Sequence, residues 1–287
     1  MKRAELFGVH RVGRFDPTMT VSDDECWRAA STPDGPGTLH LLRCGDSWDA
    51  EGFGPGGDWL MATVPALCGK HDDVPTIEPH HEAVAVALTR HDVPVLSASR
   101  LVWPALVYAI LGQRVTGREG VEQWSALCRA FSSAAPGPVA LRLPPDADQL
   151  AKVPYWALHR MGIERRRADT LRAVARHRLR IERLGFGSID DATRLLGLIN
   201  GVGPWTVAET VVRSHGDPDA VSVGDYHLKN IVSYALAGEP RGSDERMLEL
   251  LEPYRGQRGR VINLLLRDGW SAPRYGPRQA IQRIADR

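Results

Sequence analysis

Two stretches in the back half of the chain bring together residues capable of chemistry. In 200-NGVGPWT-206 two glycines, a proline and a tryptophan share one turn, and in 223-VGDYHLKN-230 a lone aspartate, Asp225, follows after one predicted helix. A fixed carboxylate stabilises a cationic transition state, or takes a proton from water as general base. At about 4 Å and an effective dielectric near 20, an anion–cation contact of this kind contributes roughly 4 kcal/mol, about a thousandfold in rate. Gly201 and Gly203 permit positive φ and remove Cβ atoms where something must come close. Pro204 suits the first position of a helix, and the free amides of the turn and of that helix start suit a phosphate. Plainer readings stand beside these. The turn reads equally as a helical corner, and Asp225 as an N-cap for the apolar run Leu228, Ile231, Val232, Ala235, Leu236.

The elements that must position these residues are mostly helices. In the hairpin over 190–216, Asp190 or Asp191 caps the first helix and Leu195, Leu196 and Ile199 form its apolar face. Apolar periodicity predicts further helices over 80–91, 101–115, 119–131, 146–153, 166–178, 188–199, 204–215 and 226–237, with a C-terminal group from Asp244. The front is β-rich. ECWRAAS (25–31), TPDGPG (32–37) and TLHLLRC (38–44) read as a hairpin with a longer loop. GFGPGG (52–57) is a break, and 58–69 a short helix. Residues 70–79 read as a linker, giving a front domain over 1–78 and a helical region over 79–287. SSAAPGPVALRLPPD (132–146) reads as a surface loop.

The 287 residues are 43% hydrophobic and 25% charged, ordinary for a globular chain. No apolar run approaches the length of a membrane span, and the start lacks the apolar core of a secretion signal, so a cytoplasmic, nucleoid-associated location is expected. Cys26, Cys44, Cys68 and Cys128 lack C-x-x-C spacing, and HHE (80–82) lacks the second histidine of a zinc motif. His215 and His227 flank the Asp225 loop without metal spacing, so no metal site is expected. The net charge of +1 conceals an acidic front and a basic back. From Asp16 to Glu82 there are thirteen acids against three Lys/Arg, but from Arg160 to Arg183 nine Arg against three acids. From Arg255 to Arg287 there are eight Arg against two acids, so a polyanion is expected to meet the back half.

Together, LLGLINGVGPWTVA and DAVSVGDYHLKN resemble the hairpin and aspartate loop of the helix–hairpin–helix DNA glycosylases. The interval from Trp205 to Asp225 is similar to that of the 3-methyladenine-DNA glycosylase II branch. ILGQRVT (110–116), MGIERRRADTLRAVA (161–175) and EPYRGQRGRVINLLLRDGW (252–270) resemble three further segments of that branch. The resemblance implies an α+β fold: a small TATA-binding-protein-like β-rich front domain, then a mainly α-helical, two-lobed glycosylase body. It implies a monofunctional glycosylase that flips out a damaged or modified base, an alkylated purine by analogy, and hydrolyses its glycosidic bond in base excision repair. Double-stranded DNA would be the partner and a monomer the working form. No cofactor is required, although a monovalent cation at the hairpin is compatible with the family.

By this resemblance Asp225 is the catalytic residue. Trp205 stands where strand-nicking relatives carry a lysine that forms a Schiff base, so no lyase activity is expected. Trp205 would instead line the base pocket with Glu209 and Asn263, two positions where the branch keeps aromatic residues. A Glu and an Asn there would hydrogen-bond a base edge. Gly201, Val202, Gly203 and Thr206 of the hairpin, Gln113 and Arg114 at a helix end, and Arg255 would contact DNA, Arg114 either filling the gap left by the flipped base or contacting a phosphate. The cluster 165-RRR-167 would follow the backbone. Lys229 sits one turn after Asp225 as a solvated lysine or its ion-pair partner. Two alternatives stay open: a non-catalytic hairpin module that only binds DNA, and a glycosylase for hypermodified phage-type bases acting in defence.

Overall fold

A computed structural model describes residues 4–45 and 47–273. After a short helix α1 (Ala4–Gly8), four strands form an antiparallel meander: β1 (Met19–Val21), β2 (Glu25–Thr32), β3 (Gly35–Cys44) and β4 (Ser47–Phe53). The β2–β3 hairpin is tighter than its sequence suggested. Thr32 pairs with Gly35, leaving only Pro33 and Asp34 in the turn, because the strands run on into the glycine-rich segment. Helix α2 (Gly57–Leu67) packs on this sheet. The glycines of 52–57 allow that approach, since a Cβ on Gly52 would lie 2.6 Å from the Gly57 carbonyl oxygen. Phe7, Met19, Cys26, Leu39, Leu41, Leu60 and Leu67 fill the interior, joined by Leu101 from beyond the predicted linker.

The helices follow as α3 (Glu82–Arg90), α4 (Val102–Leu111), α5 (Gly117–Ala130), α6 (Ala147–Lys152), α7 (Tyr155–His159), α8 (Arg165–Arg176), α9 (Arg178–Arg183), α10 (Ile189–Gly197) and α11 (Pro204–Ser214). Then come α12 (Leu228–Ala237), α13 (Asp244–Leu251) and α14 (Arg258–Arg267). They build two cores. The first centres on α4, whose sequence VWPALVYAIL is apolar on every side and therefore buried among α5, α8, α10 and α11. The second gathers Val84, Val232, Met247, Leu251, Val261 and Leu265 from α3 and α12–α14.

Several local expectations change. Helix α5 starts at Gly117 because Thr116 and Glu119 form a capping box. Helix α10 is capped by Ser188, whose hydroxyl accepts from the Asp191 amide, so Asp190 and Asp191 lie in its first turn and are not caps. The insert 132–146 is not a surface loop: Leu141 and Leu143 are buried against Ala29 of the sheet, and the Arg142 amide donates to the Pro17 carbonyl. Within 70–79, Asp72 accepts both guanidinium nitrogens of the buried Arg260 and the Leu96 amide. That segment is therefore pinned to α14.

Candidate active site

The hairpin turn occupies 198–203 between α10 and α11. Gly201 has φ 88, and a Cβ there would fall 2.1 Å from the Thr170 hydroxyl of α8, so glycine is required on both counts. Gly203 departs from expectation: its φ of −94 and ψ of 179 are extended backbone open to any residue. Its missing Cβ would face open space, leaving the turn bare on its outer side. The amides of Gly203, Trp205 and Thr206 have no acceptor among the described residues, as in the first turn of any helix without a side-chain cap.

The turn is clamped from within. The Gln113 side-chain amide, just past α4, donates to the Gly201 carbonyl at 2.9 Å and to the Thr206 hydroxyl at 2.8 Å. Val202 is packed in the first helical core and Thr206 is buried, so these two side chains hold the turn and leave its outward face to backbone. Arg114, next to Gln113, is exposed with a left-handed φ of 57 and no side-chain partner among the described residues.

Asp225 faces this hairpin. Its Oδ1 accepts the amides of His227 (2.8 Å) and Leu228 (2.9 Å), and its Oδ2 accepts the Trp205 indole N–H at 3.3 Å. The expected capping is present: one oxygen fastens the start of α12, and the other lies at the half-buried Trp205. The indole in turn lies close to Gly112, where a Cβ would stand 3.0 Å from Cη2. The loop is fixed from several directions. The Asp225 amide donates to the Ser222 carbonyl, and the Gly224 amide donates to Asp244 Oδ1. Lys229 is 3.9 Å from Asp244 Oδ2, so its ion-pair partner is Asp244 and not Asp225.

Glu209, one turn after Trp205, is doubly engaged. Its Oε1 accepts the Ser222 hydroxyl at 2.6 Å, and its Oε2 accepts Arg213 Nη1 at 2.8 Å. The Arg213 guanidinium stands 5.5 Å from the Tyr108 ring centroid. Burial pushes the Tyr108 phenol up, Arg213 opposing the shift and Glu209 adding to it. Behind Tyr108 and Arg213 lies a cavity of about 20 Å³, room for about one water, bordered by His10, Arg28 and Ser99. Burial holds His10 well below its ordinary value, with Arg28 and Arg213 acting in the same direction, and lowers Arg28 to about 10.

The remaining candidates fall elsewhere. Asn263 is half-buried on α14 with no hydrogen bond among the described residues. Arg255 is exposed and donates from Nε and Nη2, one guanidinium edge, to the two carboxylate oxygens of Glu252. The arginine cluster divides: Arg165 and Arg166 are exposed, whereas Arg167 is buried and donates to the Leu111 carbonyl and Gln123 at 2.7 Å each. Arg167 fastens the end of α4 and does not reach a DNA backbone. His215 is buried between Ser214 and the Leu184 carbonyl. Among the described residues no group of three His, Cys, Asp or Glu is placed to hold a metal. Tyr108, Arg213, Ser222 and Asp244 escaped the sequence reading. Only Arg213 carried a local signal, its i,i+4 spacing from Glu209.

With sheet, hairpin and aspartate loop in place, the fold is that of the helix–hairpin–helix DNA glycosylases. Over 92% of this chain and 93% of its own, a 3-methyladenine DNA-glycosylase from Archaeoglobus fulgidus superposes with a TM-score of 0.71 at 16% identity. A Clostridium acetobutylicum 8-oxoguanine glycosylase/lyase in complex with DNA superposes with a TM-score of 0.58 at 11% identity, covering 88% of this chain and 98% of that one. In sequence, 117 residues (38% of this chain) are 26% identical to a Bacillus subtilis protein named "Putative DNA-3-methyladenine glycosylase YfjP". The match spans 41% of that relative. No family model matches the chain.

Proposed function

We propose that this protein is a monofunctional DNA glycosylase that flips a damaged or modified base out of duplex DNA and hydrolyses its N-glycosidic bond. The observation that carries the reading is Asp225, half-buried beside the hairpin, with one oxygen anchored by two amides and the other beside Trp205. As the bond from C1′ to the base nitrogen breaks, its electron pair leaves with the base and the sugar becomes an oxocarbenium ion. Asp225 offsets that charge, and water adds to C1′ as its proton passes to the carboxylate. The products are a free base and an abasic site, formed without a cofactor. The bare amides at 203–206 grip a phosphate, and Arg114 enters the space the base vacates.

The placement of the amines near the hairpin supports hydrolysis without strand cleavage. Trp205 offers none, and Lys229 is turned to Asp244. The likeness to glycosylase structures in complex with DNA supports duplex DNA as the partner of a monomeric protein. The front meander with α2 against it supports the TATA-binding-protein-like reading of that domain. The basic back half supports a location with DNA. Trp205 supports stacking of a purine, alkylated purines included. The test is mass-spectrometric detection of bases released from duplexes carrying alkylated, oxidised, deaminated or hypermodified bases, with borohydride present in a parallel reaction. Release of one class without a trapped protein–DNA adduct is expected. An adduct overturns the monofunctional reading, and binding without release favours a non-catalytic hairpin module.

A further inference from the structure

Trp205, Glu209 and Arg213 form a stripe at successive turns of α11, running inward for about 12 Å from the hairpin. Tyr108 of α4 lies against the inner part of that stripe. Resting on the glycosylase reading, we propose that this site selects a neutral lactam base, one with a ring carbonyl beside an N–H as in oxidised or deaminated purines, over a cationic N-alkylpurine.

Three observations lead there. First, the Tyr108 face at the inner end of the stripe, which would attract a cationic base, is occupied. The Arg213 guanidinium already lies over Tyr108, so its quadrupole is committed to a resident cation. Second, the Glu209–Arg213 pair presents an acceptor beside a donor. Arg213 bonds through Nη1 alone among the described contacts, to the Glu209 carboxylate and carbonyl, so its other N–H groups remain for a base carbonyl. Glu209 accepts two donors and has lone pairs left for a ring N–H. That acceptor–donor order is the complement of a lactam edge. Third, the wall behind offers a cation no free carboxylate. Arg28 and a neutral His10 border the cavity. The buried Asp16 nearby is fully engaged by the Val12 and Thr18 amides, the Thr18 hydroxyl and the Trp124 indole.

The chemistry is consistent with this choice. A methylated purine leaves as a neutral molecule and needs little help, whereas a neutral lactam leaves with the electron pair of the broken bond and carries negative charge. A guanidinium at its carbonyl stabilises that charge until the base takes a proton from water.

The experiment compares single-turnover release of 8-oxoguanine, hypoxanthine, 3-methyladenine and 7-methyladenine by the wild type, Arg213→Gln and Arg213→Lys, with melting curves to establish folding. The wild type is expected to release at least one lactam about tenfold faster than either methylpurine. Arg213→Gln should shrink that ratio by about tenfold, and Arg213→Lys, which keeps the charge, should retain most of it. Faster release of methylpurines by the wild type overturns the proposal while leaving the glycosylase reading intact. So does an unchanged ratio in folded Arg213→Gln. Release of no base from any duplex overturns both.

Discussion

At the seam between the front segment and α14, Arg260 is 1% exposed and gives both guanidinium nitrogens to Asp72, with Pro94 and Gln257 taking further donors. At the end of α4, Arg114 stands in solvent, on left-handed backbone, with no side-chain partner among the described residues. The two arginines carry the same formal charge, yet one joins two parts of the chain and the other has no ion-pair partner among the described residues. Charge counted along the sequence therefore overstates the charge left free to meet a polyanion. What separates the two roles is whether a carboxylate and carbonyls already satisfy the guanidinium.

The largest effect that tests this contrast is expected at the seam. Arg260→Ala leaves the buried Asp72 carboxylate without its partner and should cost about 3–5 kcal/mol in denaturant unfolding. A loss below about 1 kcal/mol would remove the distinction. The buried histidines add a pH signature on the inward side. Burial lowers both His10 and His215, so the unfolded chain takes up their protons first as pH falls. Stability is full above the ordinary histidine value of 6.5 and declines below it, by up to about 1.4 kcal/mol per pH unit for each. Melting temperature measured from pH 8 down to 5 should fall on the acid side of that value, and a flat profile there would contradict the burial of these rings.

At the outward end, Arg114→Ala should leave stability within about 0.5 kcal/mol while weakening duplex binding and reducing the salt slope by about one. Binding titrations at several salt concentrations read both quantities, and an unchanged slope would place Arg114 away from the phosphates. The smallest effect belongs to Arg255. Its exposed pair with Glu252 should contribute less than about 1 kcal/mol, so Arg255→Ala should alter the melting curve little.

Much of the helical body was legible because its signals are local. Pro204 opens α11 and Gly201 takes positive φ, as their residue types dictate. Periodicity placed α4, α8 and α12 to within a few residues. What the sequence concealed depends on partners far along the chain. Leu141 and Leu143 look like residues of a loop until Ala29 of the sheet covers them. Arg167 reads as one of three surface arginines until the end of α4 and Gln123 receive it. Strand β4, with its polar and charged residues and a largely exposed face, gave no apolar run to recognise. In the candidate site Asp225 and Trp205 were legible from motif and interval. The Arg213–Glu209–Ser222 chain was not, since Ser222 and Glu209 meet only when the loop folds back on α11.

The central claim is that Asp225 acts by its charge. Asp225→Asn keeps an oxygen for the His227 and Leu228 amides and a group near Trp205, and removes only the anion. Single-turnover base release, measured with DNA affinity on the same preparation, tests this directly. A fall of about a thousandfold in release, with affinity for the duplex retained, is expected. Release within about tenfold of the wild type, or equal losses of binding and release, would contradict it.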